Sequence, residues 1–317
     1  LDSPALVNPT INGVAQSGYT GSNNYIINGG FDYWNYDTSQ TISGYGSDDR
    51  YWNAHSVVSK THSRVSSGDT ERALFNASAF SRTVVVDAVG TNAVCIKRQY
   101  IENVTKLAGK TITLSFWAKA DTNKNIAISL AQYFGTGGSP SSTVSGIGSQ
   151  LIYLTNTWQK KTITVTLPPI VGKTLGTAGV HTSATGLDFF FNSGGTWLAN
   201  SANLGQQSGT FDIAEVKLEE GSVATPFEQR PYGLELSLCQ RYYESTPTIT
   251  MYGVGDGTNT VFNYQFKVVK RVTPSLSNTY VGFTPTAENA WTHGFSCYKS
   301  GVSNLYSISK IIASAEL

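Results

Sequence analysis

Between Gly109 and Gly135 the chain reads GKTITLSFWAKADTNKNIAISLAQYFG, and this stretch constrains the fold more than any other. Ile112, Leu114, Phe116 and Ala118 alternate with Thr113, Ser115 and Trp117. After a polar break at Asp121-Thr122-Asn123-Lys124-Asn125, Ile126, Ile128, Leu130 and Gln132 alternate with Ala127, Ser129, Ala131 and Tyr133. A period of two gives each run one apolar and one mixed face, as β-strands require. Asp and Asn tolerate tight turns, so the stretch predicts a hairpin whose strands share an apolar face. Trp117 and Tyr133 are out of phase with the apolar sets, and a hairpin would put both rings on one side of the sheet.

Trp158–Leu167 alternates again, with Ile163, Val165 and Leu167 inward, and Leu187–Asn192 and Phe211–Glu219 read as further strands. Charged residues are only 14% of the chain and glycines number 31, a balance that suits an all-β protein with many turns. Gly135–Ser149 has no periodicity and reads as a Gly/Ser loop. Gly233–Glu244 is the best helix candidate, with Leu234, Leu238 and Tyr242 on one face. Beyond it a smaller β block is expected, with strands at 248–253, 261–269, 279–284, 294–298 and 305–315 and a turn at Gly255-Asp256-Gly257. The organisation predicted is a connector over 1–24, a β-sandwich over 25–230, a helical linker over 231–245 and a C-terminal β domain over 246–317. The first residue is Leu, so the chain is expected to be a piece of a longer one.

Several function classes lose support at once. The net charge of +1 offers no electrostatic case for nucleic acid or an anionic membrane. No run approaches the ~20 apolar residues of a membrane span. Cys95, Cys239 and Cys297 are odd in number, which argues against a disulfide framework and for buried small hydrophobes. His55, His62, His181 and His293 sit in no catalytic motif. Asp48-Asp49 and Glu219-Glu220 are adjacent pairs that point opposite ways in a strand, so neither makes a carboxylate dyad. A non-enzyme is expected, with no cofactor required.

Several segments agree with one family. They are Ile26-Ile27-Asn28-Gly29-Gly30-Phe31-Asp32-Tyr33-Trp34, Leu107 to Ala120, Trp158-Gln159, and Phe211-Asp212-Ile213 through Leu218-Glu219-Glu220-Gly221. Together they resemble the carbohydrate-binding-module-like jelly-roll domain of bacteriophage tail fibres and related virion proteins. Leu6 to Gly13 looks like the stem before a fibre tip, and Phe227 to Glu244 and Ala313 to Leu317 also look like fibre sequence. The resemblance covers most of 25–244 and weakens after it. It implies a jelly-roll β-sandwich in the distal, receptor-binding part of a tail fibre. Such a protein belongs to the virion, acts outside the host cell, and associates as a homotrimer with other tail proteins. Its ligand would be a host surface polysaccharide or lipopolysaccharide, bound without cleavage. The resemblance also implies a structural calcium between the first strand and the last, with Asp32 and Asp212 as the matching carboxylates.

Pyranose rings present a flat apolar side that stacks on aromatic rings, while their hydroxyls pair with Asn, Gln and Asp. Trp117, Tyr133, Asp188 and Phe190 fall on the mixed face of the sheet, and Trp34, Trp52 and Trp197 lie in or near loops at its edges. These seven are the candidate glycan-binding residues. Two alternatives belong to other classes: a structural capsid or tail-decoration protein, and a polysaccharide depolymerase. A depolymerase usually presents a β-helix, and no 20–50-residue repeat is visible.

Overall fold

The structure is a computed structural model that describes residues 23–56, 58–179, 182–252, 259–281, 284–300 and 305–316, together with the two-residue strands β1 (Thr10–Ile11) and β2 (Val14–Ala15). β1 and β2 pair antiparallel; the rest of the expected stem lies outside the described residues. There follow β3 (Ser39–Gln40), β4 (Tyr51–Ser56), β5 (Val58–Ser66), the short helix α1 (Asp69–Arg72), β6 (Ala79–Ala88) and β7 (Val94–Glu102). Next come β8 (Thr111–Ala120), β9 (Lys124–Tyr133), β10 (Val144–Leu154), β11 (Gln159–Thr166), β12 (Ala184–Ser193) and β13 (Gly209–Glu220). Helix α2 (Tyr232–Gln240) leads to β14 (Tyr243–Tyr252), β15 (Asn259–Gln265), β16 (Ser275–Leu276), β17 (Thr279–Val281), β18 (Ala287–Trp291), β19 (Gly294–Ser300) and β20 (Leu305–Ser314).

Strands β3 to β13 make a jelly-roll β-sandwich. One sheet has five strands in the order β10-β9-β12-β7-β4, and the other has six in the order β11-β8-β13-β6-β5-β3. The expected hairpin at 109–135 is not one. β8 pairs with β11 and β13, whereas β9 pairs with β10 and β12, so the chain crosses between sheets at Asp121–Asn123. The apolar phases are as the alternation predicts. Ile112, Leu114, Phe116, Ala118, Ile126, Ile128 and Leu130 all enter one core, facing each other across the sandwich. Phe116 of β8 meets Phe189 of β12 edge to face at 5.2 Å, a geometry favoured by the ring quadrupoles. Alternation identifies the buried face of a strand but leaves its neighbour open, and two strands can satisfy it from opposite layers.

Part of the expected loop at 135–149 is strand β10. Its pairing with β9 shifts register twice, between Val144 and Ile147 and between Ile147 and Gln150. These bulges break the period of two and hide the strand from a pattern search. Gly148 has φ +62°, and a Cβ there would stand 2.5 Å from Val165; glycine permits both the left-handed backbone and the close approach to β11. The helix forms, but its expected apolar face does not point inward. Leu234 is 40% exposed and Leu238 half-buried, while Glu235 and Cys239 are the buried residues of the helix; of the expected face only Tyr242 is buried, and it lies past the helix end at Gln240. Glu235 is drawn in by Arg230 and by the backbone N–H of Asn28. All three cysteines are free and buried.

The C-terminal block forms a sheet of β14, β20 and β16, with β17 also on β20, and a three-stranded sheet of β15, β19 and β18 around Phe295 and Ile308. The expected turn at Gly255-Asp256-Gly257 lies outside the described residues. A dense polar seam ties the block to the sandwich. Arg50 pairs with Glu316, stacks its guanidinium 3.4 Å from the Tyr242 ring centroid, and donates to the Tyr100 carbonyl at 2.9 Å. Arg241, just before β14, reaches Glu102 of β7 at 3.0 Å, and the Tyr242 hydroxyl donates to the same carboxylate at 2.9 Å. No helix among the described residues is long and apolar enough to cross a membrane.

Candidate functional site

The outer face of the five-stranded sheet gathers most of the sequence-predicted residues. Registers place Trp52 beside Arg98, Arg98 beside Asp188, and Asp188 beside Ser129 in one row across β4, β7, β12 and β9. In the next row Ile96 neighbours Phe190 and Phe190 neighbours Ala127. Alternation forces this arrangement, because Tyr51, Cys95, Leu187 and Phe189 take the inward phase.

From this face into the loops flanking β3 runs a chain of aromatic rings. Tyr133 meets Tyr100 edge to face at 5.2 Å, Tyr100 lies 5.9 Å from Trp52, Trp52 6.0 Å from Tyr45, and Tyr45 6.4 Å from Tyr36. Tyr36 stacks in turn on Tyr243 of the C-terminal block, with centroids 3.4 Å apart. Tyr133 can lie flat because Gly186 sits beneath it; a Cβ at Gly186 would stand 2.9 Å from Tyr133 Cε2. Arg98 braces the rings, with its guanidinium 5.5 Å from the centroids of both Tyr100 and Tyr133. Asp188 accepts from Arg98 through both carboxylate oxygens. Burial works against the charge on Arg98, but Asp188 more than offsets it and its pKa is raised. The Trp52 indole N–H is buried and makes no hydrogen bond among the described residues.

Not every candidate belongs to this strip. Trp117 is on β8 of the opposite sheet, so the two rings expected to share one side point out of opposite sides of the sandwich. There Trp117 packs with Phe75, Phe80, Ala214 and Trp158 in a satellite core, 6.0 Å from the Phe75 ring. Phe190 is 1% exposed beneath Trp197 and Leu204, so both aromatics act as packing at the far end of the face. Trp34 packs against the main core and donates its indole N–H to the Phe31 carbonyl at 2.7 Å. Sequence reasoning missed Tyr36, Tyr45, Tyr100 and Tyr243. Tyr36 and Tyr45 lie outside any alternating run, and Tyr100 is disguised because Lys97 and Gln99 take the inward phase of β7, where polar residues are unexpected.

The two aspartates matched to calcium do not fit a shared site. Asp212 takes Arg82 on both oxygens, at 2.8 and 2.9 Å, with Lys119 at 3.8 Å, so an added cation would stand beside two existing ones. Asp32 instead accepts from Ser78 at 2.9 Å and Gln229 at 3.2 Å. Among the described residues no group of three or more His, Cys, Asp or Glu could hold a metal ion.

Fold and site together define a class: a jelly-roll β-sandwich with an aromatic strip on the outside of one sheet. No family profile matches the chain, and no curated protein does. Among solved structures, the enzymatically active domain of tailspike protein 4 from bacteriophage CBA120 is 15% identical over 62% of this chain, with a TM-score of 0.34. The match spans only 21% of the tailspike chain. A family 11 carbohydrate-binding module from Clostridium thermocellum, in complex with a mixed-linked tetrasaccharide, is 11% identical over 57% of this chain and 95% of its own, with a TM-score of 0.35. A structure described as CBM4 is 18% identical over 61% of this chain and 98% of its own, with a TM-score of 0.32. Likeness at this level carries no argument about ligand or role.

Proposed function

We propose that the strip from Tyr36 to Tyr133 is a glycan-binding surface, and that the protein is the distal part of a phage tail fibre that binds a host surface polysaccharide or lipopolysaccharide without cleaving it. The observation that carries the glycan reading is the unbroken row of ring contacts Tyr36, Tyr45, Trp52, Tyr100 and Tyr133, with the last three on the outer face of one sheet and the first two in the loops flanking β3. Tyr100 is buried within the row, and the half-buried Tyr36, Tyr45, Trp52 and Tyr133 around it are the rings that remain open to stack on a saccharide. Arg98 is already neutralised by Asp188, so the strip suits uncharged sugar units. The tail-fibre assignment rests on the fibre-like segments at Leu6–Gly13 and Phe227–Glu244. It carries with it a place in the virion tail, homotrimeric assembly and contact with other tail proteins.

The test is adsorption of the purified protein to host cells and to a surface-glycan array, with Tyr133→Ala and Trp52→Ala beside it. Loss of an anchor ring should weaken binding by about 1–3 kcal/mol. Saccharide recovered unshortened after long incubation is expected of a binder, whereas new reducing ends would favour the depolymerase. A folded protein that adsorbs to no glycan and no host cell would favour a structural virion protein. Light scattering at micromolar concentration should report a trimer.

A further inference from the structure

A second site lies away from the strip. A cavity of about 620 Å³ opens between the Asp32 loop, the end of β5 and the start of α2, within the roughly 300–1,000 Å³ usual for ligand pockets. Its charges are arranged unevenly. Arg230, on one wall, is paired with Glu235 at 2.9 Å. Arg64, on another, is exposed, and among the described residues its guanidinium makes no ion pair and no hydrogen bond. Asp32 accepts from Ser78 and Gln229 but pairs with no cation among the described residues, and its oxygens keep acceptor capacity. At the rim the Tyr232 ring is 73% exposed and held by Tyr33, 5.1 Å away, whose hydroxyl donates to the Tyr232 carbonyl at 2.6 Å.

We propose that this cavity is a second saccharide site and that it takes an acidic sugar, a uronic acid unit with its carboxylate on Arg64. The arrangement reads such a sugar from end to end. A guanidinium free of a partner takes a carboxylate through charge-assisted hydrogen bonds. Asp32 and Gln229 on the other wall suit ring hydroxyls, and Tyr232 offers a stacking face. The contrast with the strip is chemical: there the arginine is occupied by Asp188, here it is open.

Cellobiouronic acid and cellobiose, which differ by one carboxylate, discriminate the idea by calorimetric titration at low ionic strength. The protein should bind the acid at least roughly tenfold more tightly. Arg64→Ala should abolish that preference, Arg64→Lys should restore part of it, and Tyr232→Ala should weaken both ligands. Each change is at an exposed side chain, so the melting temperature should stay within a few degrees of the wild type. Equal affinity for the two sugars, or a preference that survives Arg64→Ala, overturns the proposal. Tyr133→Ala separates the two sites: if the preference for the acid persists in that variant, the cavity carries it. If it disappears there while surviving Arg64→Ala, the strip carries it and the cavity reading fails alone.

Discussion

Gly186→Ala is a fine probe of the strip, because it disturbs one ring without removing it. The new methyl would stand 2.9 Å from Tyr133 Cε2 and 3.8 Å from Arg98 Cδ. Ordinary carbon contacts are about 3.5–4.0 Å, so the Tyr133 ring must withdraw by about 1 Å while Arg98 need not move. An off-rotamer ring costs about 0.5–1.5 kcal/mol. The relief of unfolded-chain entropy on replacing a strand glycine returns about 0.5–1 kcal/mol. Net stability should therefore change by less than about 1 kcal/mol, a shift of only a few degrees in Tm. Glycan affinity should fall further in proportion, because the displaced ring leaves the position that its edge-to-face contact with the buried Tyr100 gives it. A partial loss of a stacking contact, about 0.5–1.5 kcal/mol, corresponds to roughly two- to tenfold in Kd. Thermal unfolding and calorimetric titration of the same preparation measure both quantities. Affinity unchanged in Gly186→Ala but lost in Tyr133→Ala would show that ring position does not matter. A stability loss above about 3 kcal/mol with affinity intact would show that Tyr133 is packing and not a ligand contact.

Trp117→Ala should do the reverse, costing about 2–4 kcal/mol through the cavity left beside Phe75, with glycan affinity per folded molecule unchanged in titration. Excess chelator should leave Tm where it is, because Asp212 is occupied by Arg82; a fall in Tm would restore a native-state calcium. Burial pushes the Asp49 carboxyl up to about 7, against the hydrogen bonds it accepts from Asn35. Its folded value exceeds its unfolded one, so its contribution to stability is complete below about pH 4 and is lost as pH rises through about 7. Asp49→Asn should therefore gain Tm relative to wild type between pH 5 and pH 8, and a difference that stays flat across that window refutes the assignment. Glu316→Ala should cost about 3–5 kcal/mol in chemical denaturation, because it leaves Arg50 buried without its counter-ion; a cost under about 1 kcal/mol would show that water replaces the carboxylate.

The period-two runs made the β class and the buried phase of β8, β9 and β11 legible, since a strand in a sandwich must bury alternate residues whatever its neighbours; in β13 a bulge between Ala214 and Lys217 moves the buried set from Phe211 and Ile213 to Val216 and Leu218. The pairing was not legible. Ile112–Ala118 and Ile126–Leu130 satisfy the same alternation as a hairpin or as facing layers, and only the full set of ladders decides between them. That ambiguity separated Trp117 from Tyr133. The inward phase of β7 misled for another reason. Lys97 is fully buried against Asp48 and donates to Asn53 at 2.8 Å, so a charged residue holds a core position and the outward Tyr100 loses its pattern. Bulges in β10 erased the period of a whole strand.

The seam between sandwich and C-terminal block lies beyond any local pattern. Arg50 stands in Asp48-Asp49-Arg50-Tyr51-Trp52, which reads as a polar loop entering a strand. Its partners come from residues 100, 242 and 316, so nothing within a helix turn or a hairpin announces them. Yet this residue connects the two halves of the strip. Its backbone leads within two residues to Trp52, its guanidinium holds the Tyr100 carbonyl, and its carboxylate partner Glu316 also accepts from Tyr36 at 3.4 Å. Burial opposes the charge on Arg50, and Glu316 beside it sustains that charge, so the pair holds only when the C-terminal block is docked. The order of the aromatic strip on the sandwich therefore depends on the small C-terminal block, which contributes Tyr243 as the last ring of the row and Glu316 as the charge beneath it.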